Sequence, residues 1–192
     1  MKTLLSRLRE LITTLLSRLR QRPVLTSIAA VALVLSLGLG ITGLVLDDDS
    51  DEVANEAGGY QLMAPDDWDV TQEGPITKLA SPGKDALISV TTGYRGPLNF
   101  AGAVFFQQVG RNYEETKLTG VQGERVGSRP ALIYSGQGVN KSGVKVNFLA
   151  ITVEGQPRNY AISVFTAANS DAQQILPRVN SVVDTFRALD KR

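Results

Sequence analysis

The chain has 192 residues, 43% hydrophobic and 20% charged, enough for one ordinary domain with additional segments. It contains neither cysteine nor histidine, which excludes disulfides, thiolate nucleophiles, Cys/His metal sites, imidazole acid-base chemistry and the lipid-modified cysteine of a bacterial lipoprotein. The net charge of +1 is unevenly distributed, but from Tyr60 onward 14 basic residues face 12 acidic ones, too weak a balance for a nucleic-acid footprint.

Residues 1–22 hold six basic side chains against Glu10 alone and repeat the hexapeptide LLSRLR eleven residues apart. At about 100° per residue the leucines fall on one helical sector, with Arg7 and Arg18 on one border and Arg9 and Arg20 on the other. Such borders let guanidinium groups reach lipid phosphates while their stems cover apolar surface, so this segment reads as a basic amphipathic helix on anionic inner-leaflet lipid. The same leucines also obey coiled-coil spacing, over only two heptads.

Residues 24–46 carry no charge, and a helix of that length covers the roughly 30 Å hydrocarbon core. The run is longer than the core of a cleavable signal and lacks an A-x-A site, which favours a retained transmembrane helix. Basic residues before it and Asp47, Asp48, Asp49, Asp51 and Glu52 after it place the N-terminus in the cytoplasm and the C-terminal domain outside the cell membrane. Ala32, Ser36 and Gly40 recur at every fourth position, a spacing that lets two such helices pack into a homo-oligomer. Residues 47–59 are acidic and small, and read as a flexible linker.

From residue 60 to 192 the pattern is that of an extracytoplasmic α+β domain. YQLMA and WDVTQ flank a hairpin turn at Pro65-Asp66-Asp67, ALISVTTGY follows Ser81-Pro82-Gly83, and TKLTGVQGERV reads as a weaker strand pair. Asn140-Lys141-Ser142-Gly143 and Gly155-Gln156-Pro157 then separate three long strands of an antiparallel meander. Val144, Val146, Phe148 and Ala150 oppose Leu149, Ile151 and Val153, and Ala161 and Phe165 oppose Tyr160, Ile162 and Val164. A sheet apolar on both faces must be covered on both. Two helices are available, one beginning at Pro97 with Leu98, Ala101, Phe105 and Val109 on a stripe, the other beginning at Ser170 with Ile175, Leu176, Val179, Val182, Val183 and Phe186. The expected architecture is a three-layer α/β/α sandwich with a central antiparallel sheet, preceded by a single transmembrane helix.

The opening Tyr60, Pro65 and Trp68, the central helix, the meander and the final VVDTFRAL helix resemble the PsbP-like fold, in particular the extracytoplasmic LpqN-type proteins of actinobacteria, over about residues 60–189. The resemblance implies a non-catalytic envelope or membrane-complex accessory module. It departs from those relatives in having an apolar run where they carry a lipidated cysteine, and it carries over no catalytic set.

No cofactor or metal is expected. Asp66, Asp67 and Asp69 lack the full calcium-loop pattern, and GQGVNKSG is a hairpin, since a strand and not a helix follows it. The functional expectation is a single-pass, membrane-anchored binding module with an envelope protein or lipid as partner. An alternative is a carrier or sensor of an apolar small molecule held in a gap near Phe100, Phe105 and Phe106. A hydrolase using Ser135 or Ser142 with Lys141 or Lys145 is a distant third, because nothing in a solvent-facing turn depresses a lysine pKa.

Overall fold

A computed structural model describes residues 50–168, 170 and 172–189. The amphipathic segment 1–22 and the apolar run 24–46 lie outside the described residues, among which no helix is long and apolar enough to cross a membrane. Ten strands and two helices follow one another as β1 (Ser50–Asn55), β2 (Tyr60–Pro65), β3 (Asp69–Glu73), β4 (Ile76–Ala80), β5 (Ala86–Tyr94), α1 (Leu98–Gly110), β6 (Glu115–Val126), β7 (Arg129–Val139), β8 (Lys145–Val153), β9 (Asn159–Ala167), α2 (Ala172–Asp184) and β10 (Arg187–Ala188). Seven strands form one antiparallel sheet in the order β3-β4-β5-β9-β8-β7-β6, and β1-β2-β10 form a second.

The meander expected from the sequence is β7-β8-β9, and both of its faces are buried. Leu149, Ile151, Val153, Tyr160, Ile162 and Val164 join one core with Ile175, Leu176, Val179, Val182, Val183 and Phe186 of α2 and its following residues. On the opposite face Phe148, Ala150 and Ala161 pack against Phe105 and Val109 of α1, ringed by Tyr94, Phe106, Tyr113, Tyr134 and Phe165. Pro97 caps α1, where its missing N–H costs nothing. Gly102 and Gly136 allow close approach here: a Cβ on Gly102 would lie 2.7 Å from the Tyr134 ring and one on Gly136 2.4 Å from Phe148.

Four expectations are corrected. The molecule is more β-rich than an α/β/α sandwich, because α2 shares its layer with the three-stranded sheet. Residues 50–55 of the supposed linker are strand β1, paired along its whole length with β2 and burying Val53 and Asn55; the composition is polar because the other side chains face water. Pro65-Asp66-Asp67 is not a hairpin turn but carries the chain from one sheet to the other. TKLTGVQGERV is one edge strand, bent at a bulge between Leu118 and Gly120.

The two sheets are joined through the first residue of β2. Tyr60 is fully buried, and its hydroxyl lies 3.0 Å from the Val90 carbonyl oxygen and 2.9 Å from Thr77 Oγ1. Asn55 Nδ2 donates to Thr77 Oγ1 and to the Gly74 carbonyl, each at 3.0 Å, while Asn55 Oδ1 accepts from Gly58 N at 2.7 Å. Burial raises the Tyr60 pKa, against the lowering effect of its Thr77 hydrogen bond. Tyr60→Phe strips this circuit of its central hydroxyl and is expected to lower the unfolding free energy by about 1–3 kcal/mol, read as a reduced urea midpoint at unchanged slope.

Candidate functional site

The seven-stranded sheet has two ends, set by its turns. At one end lie the β1–β2, β3–β4, β6–β7 and β8–β9 turns. At the other lie the start of β1, the Pro65–Trp68 turn, the β4–β5 and β7–β8 turns and the start of α2. On the face covered by α2, alternation places Ile133, Ile151 and Ile162 in one cross-strand row. Further along, toward the second end, the row becomes polar: Lys117 pairs with Gln137, Gln137 with Asn147, and Asn147 with Thr166. Gln137 Nε2 donates to Asn147 Oδ1 at 2.9 Å, and Thr166 is only 7% exposed.

Lys117, Gln137 and Asn147 of this row line an open groove of about 340 Å³ together with Glu115, Val139, Lys145 and Ala168; Thr166 lies deeper, in the adjoining smaller pocket. The size of the groove falls within the range of small-ligand sites. The smaller pocket, of about 20 Å³, continues from Gln137 and Asn147 to Ser135 and Leu176, with room for about one water molecule. The β7–β8 turn beside the groove is rigid in design: Asn140 Oδ1 accepts from Ser142 N and Val144 N at 2.9 Å each, and Gly143 takes φ 76°.

Of the residues singled out in the sequence, Phe105 is core, and Phe106 packs at a tilt against Tyr134 and Phe148 at centroid distances of 5.7 and 5.6 Å. Phe100 stands 62% exposed outside that cluster, so the three do not enclose a common gap. Arg7, Arg9, Arg18, Arg20, Ala32, Ser36 and Gly40 lie outside the described residues. Ser142 and Lys141 occupy an exposed turn, and Glu114, Glu115, Lys117 and Arg125 are likewise exposed. Among the described residues no group of three or more His, Cys, Asp or Glu side chains is placed to hold a metal.

Trp68 is 5% exposed and packs under the Arg178 guanidinium, 5.7 Å from ring centroid to Cζ, while Arg178 also donates to Asp67. That hydrogen bond holds the Asp67 carboxyl below its usual range, whereas burial, offset in part by Arg187, pushes Asp184 up. The sequence did not reveal the groove, because Lys117, Gln137 and Asn147 lie on three different strands and meet only through the register.

No protein-family model and no curated protein sequence matches this chain. Its structure is similar to that of cyanobacterial PsbP (CyanoP) from Synechocystis sp. PCC 6803, with 14% identity, a TM-score of 0.57, and coverage of 79% of this chain and 99% of that one. It is also similar to the Saccharomyces cerevisiae Ran-binding protein Mog1p, with 12% identity, a TM-score of 0.53, and coverage of 74% and 96%. LpqN of Mycobacterium tuberculosis aligns at 18% identity and a TM-score of 0.49 over 74% and 91%. At these identities the likeness is one of fold: the domain has a PsbP-like fold.

The two shifted carboxylates act on stability with opposite signs. Asp67, with its folded pKa lowered, contributes stability that is present above its unfolded pKa and lost as pH falls through the folded one. Asp184, with its pKa raised, makes stability fall as pH rises from its unfolded pKa through the folded one. In urea titrations Asp67→Asn is expected to be slightly less stable than the parent at neutral pH and equal to it in strong acid. Asp184→Asn is expected to be at least as stable at neutral pH. A second test addresses the groove: the double variant Gln137→Val/Asn147→Val, which removes both partners of one hydrogen bond, is expected to retain the parent's thermal midpoint or exceed it.

Proposed function

We propose that this chain is a membrane-anchored, extracytoplasmic binding module that recognises a partner through the polar groove at the end of its PsbP-like domain. The observation that carries this reading is the row Lys117–Gln137–Asn147–Thr166, which continues as polar side chains a stretch of sheet whose middle, at Ile133, Ile151 and Ile162, is apolar and packed. These groups donate and accept hydrogen bonds but supply no nucleophile paired with a base. Lys117 and Lys145 are exposed, and their ammonium groups are suited to donating to an acceptor. The fold supports the same reading, since Mog1p, a Ran-binding protein, is an example of it serving recognition. The apolar-carrier alternative loses its site, because Phe105 and Phe106 are packed into the core.

The anchor is the uncharged run 24–46, with the basic segment 1–22 on the cytoplasmic leaflet and the domain outside. Protease added to intact cells is expected to remove an epitope placed after Arg192 and to spare one placed before Met1; the reverse pattern refutes the topology. A photo-crosslinking residue at Val139, in the groove, is expected to capture a specific envelope component in cells, and the same residue at Arg158, at the opposite end, is not. Equal capture from both positions would remove the groove from the function.

A further inference from the structure

The connection between the apolar run and the domain is far shorter than composition suggests. The run ends at Leu46 and β1 begins at Ser50, so only Asp47, Asp48 and Asp49 intervene. Three extended residues reach about 11 Å. Ser50 pairs with Pro65, which fixes the point of arrival at the end of the domain that carries the Pro65–Trp68 turn, the β7–β8 turn and the groove. The β6–β7 and β8–β9 turns lie a strand length away. A nine-residue strand such as β8 spans about 30 Å, so a tether of three residues cannot exchange the two ends.

The groove therefore opens within reach of the headgroup layer, and its chemistry fits what that layer offers. Lys117 and Lys145 line it together with the Gln137 and Asn147 amides, and Glu115 is the one carboxylate in its lining. Two ammonium groups with neutral donors between them suit a singly charged phosphodiester, whose non-bridging oxygens accept from both kinds of donor. With two lysines against Glu115 the groove carries a formal balance of +1, which matches one negative charge better than a multiply charged anion and disfavours a cation. We propose that the groove binds the phosphodiester headgroup of an anionic phospholipid in the outer leaflet of the membrane that anchors the chain. This proposal rests on the anchored topology given above and adds the ligand class and the orientation of the domain, groove toward the bilayer.

The absence of native cysteine gives a clean test on the full chain. A single environment-sensitive fluorophore is attached to the full-length protein at Ser142→Cys, beside the groove, or at Ser128→Cys, in the β6–β7 turn at the opposite end. Each is reconstituted into nanodiscs of phosphatidylcholine with or without phosphatidylglycerol. Co-elution with the discs reports the anchor, independently of the label. The S142C label is expected to shift its emission and to be quenched by a headgroup-attached quencher when phosphatidylglycerol is present, and the S128C label is not. Lys117→Gln and Lys145→Gln are each expected to weaken that response about fivefold, as is typical of one basic group near an anionic surface. Inorganic phosphate added to phosphatidylcholine discs is expected to leave the S142C signal unchanged; an equal shift would identify a free anion as the ligand and overturn the lipid assignment. Co-elution with equal signals from the two labels, or a response that survives loss of both lysines, overturns the proposal while leaving the anchor standing. Failure to co-elute overturns both.

Discussion

A helix is about 10 Å across and a seven-stranded sheet about 30 Å wide, and that mismatch shapes this molecule. The central strands β8 and β9 are apolar on both faces, so both faces need a cover. On one face α1 covers β7, β8 and β9 and leaves the outer strands to solvent. On the other, α2 alone is too narrow, and the β1–β2 hairpin widens the layer until Val53, Leu62 and Trp68 complete the core. The groove forms beyond the reach of either cover.

Attachment of the hairpin is what makes this economy work, because a two-stranded hairpin has little stability of its own. It is held by shape and by one polar circuit. Tyr60 fills the space between the sheets, against Tyr160 and Phe186 at centroid distances of 6.2 and 5.8 Å, while Asn55, Thr77 and Tyr60 bond one another and meet the backbone carbonyls of Gly74, Pro75 and Val90. Leu189 N and the Tyr160 hydroxyl both donate to the Gly59 carbonyl, at 2.8 and 3.0 Å, so the turn after β1 also receives the C-terminal strand. A buried polar knot of this kind is costly when any member is missing and specifies a single arrangement when all are present. The same geometry shortens the connection to the apolar run, because β1 has to reach back along β2 to Ser50.

The elements governed by periodicity were legible in the sequence. Ala101, Phe105 and Val109 of the first stripe, the six apolar residues of α2 and its end, and most of the opposed faces of β8 and β9 are buried as their spacing selects, while Leu98, Val146 and Phe165 are half-buried and Val144 lies exposed before β8. Strand β1 was not legible, since four of its six side chains are polar or face water and its two buried positions, Val53 and Asn55, are too few to announce an alternation. Strand β6 misled for a related reason: a bulge shifts the period at Gly120, and one strand reads as two. The aromatic gap failed on direction. Phe100, Phe105 and Phe106 are neighbours in sequence, but 100° per residue sends Phe105 and Phe106 inward and Phe100 out. The groove residues were each visible as unremarkable polar positions, and only the register Lys117–Gln137–Asn147–Thr166 makes them a row.

Solvent exposure alone accounts for some of that row, and the comparison with the other edge of the sheet separates the part it does not explain. Strand β3 is also uncovered, and its five residues are all exposed, as a solvated edge requires. Lys117 behaves in the same way. Gln137 and Asn147, however, are only half exposed and spend their amides on each other, and Thr166 is buried. Partly desolvated polar groups cost stability unless something completes their hydrogen bonding, and apolar residues at the same positions would have extended the core of Leu149 and Val164 by one more row. The row forgoes that gain while Lys117 and Lys145 stand beside it, an arrangement that the packing of the core does not require.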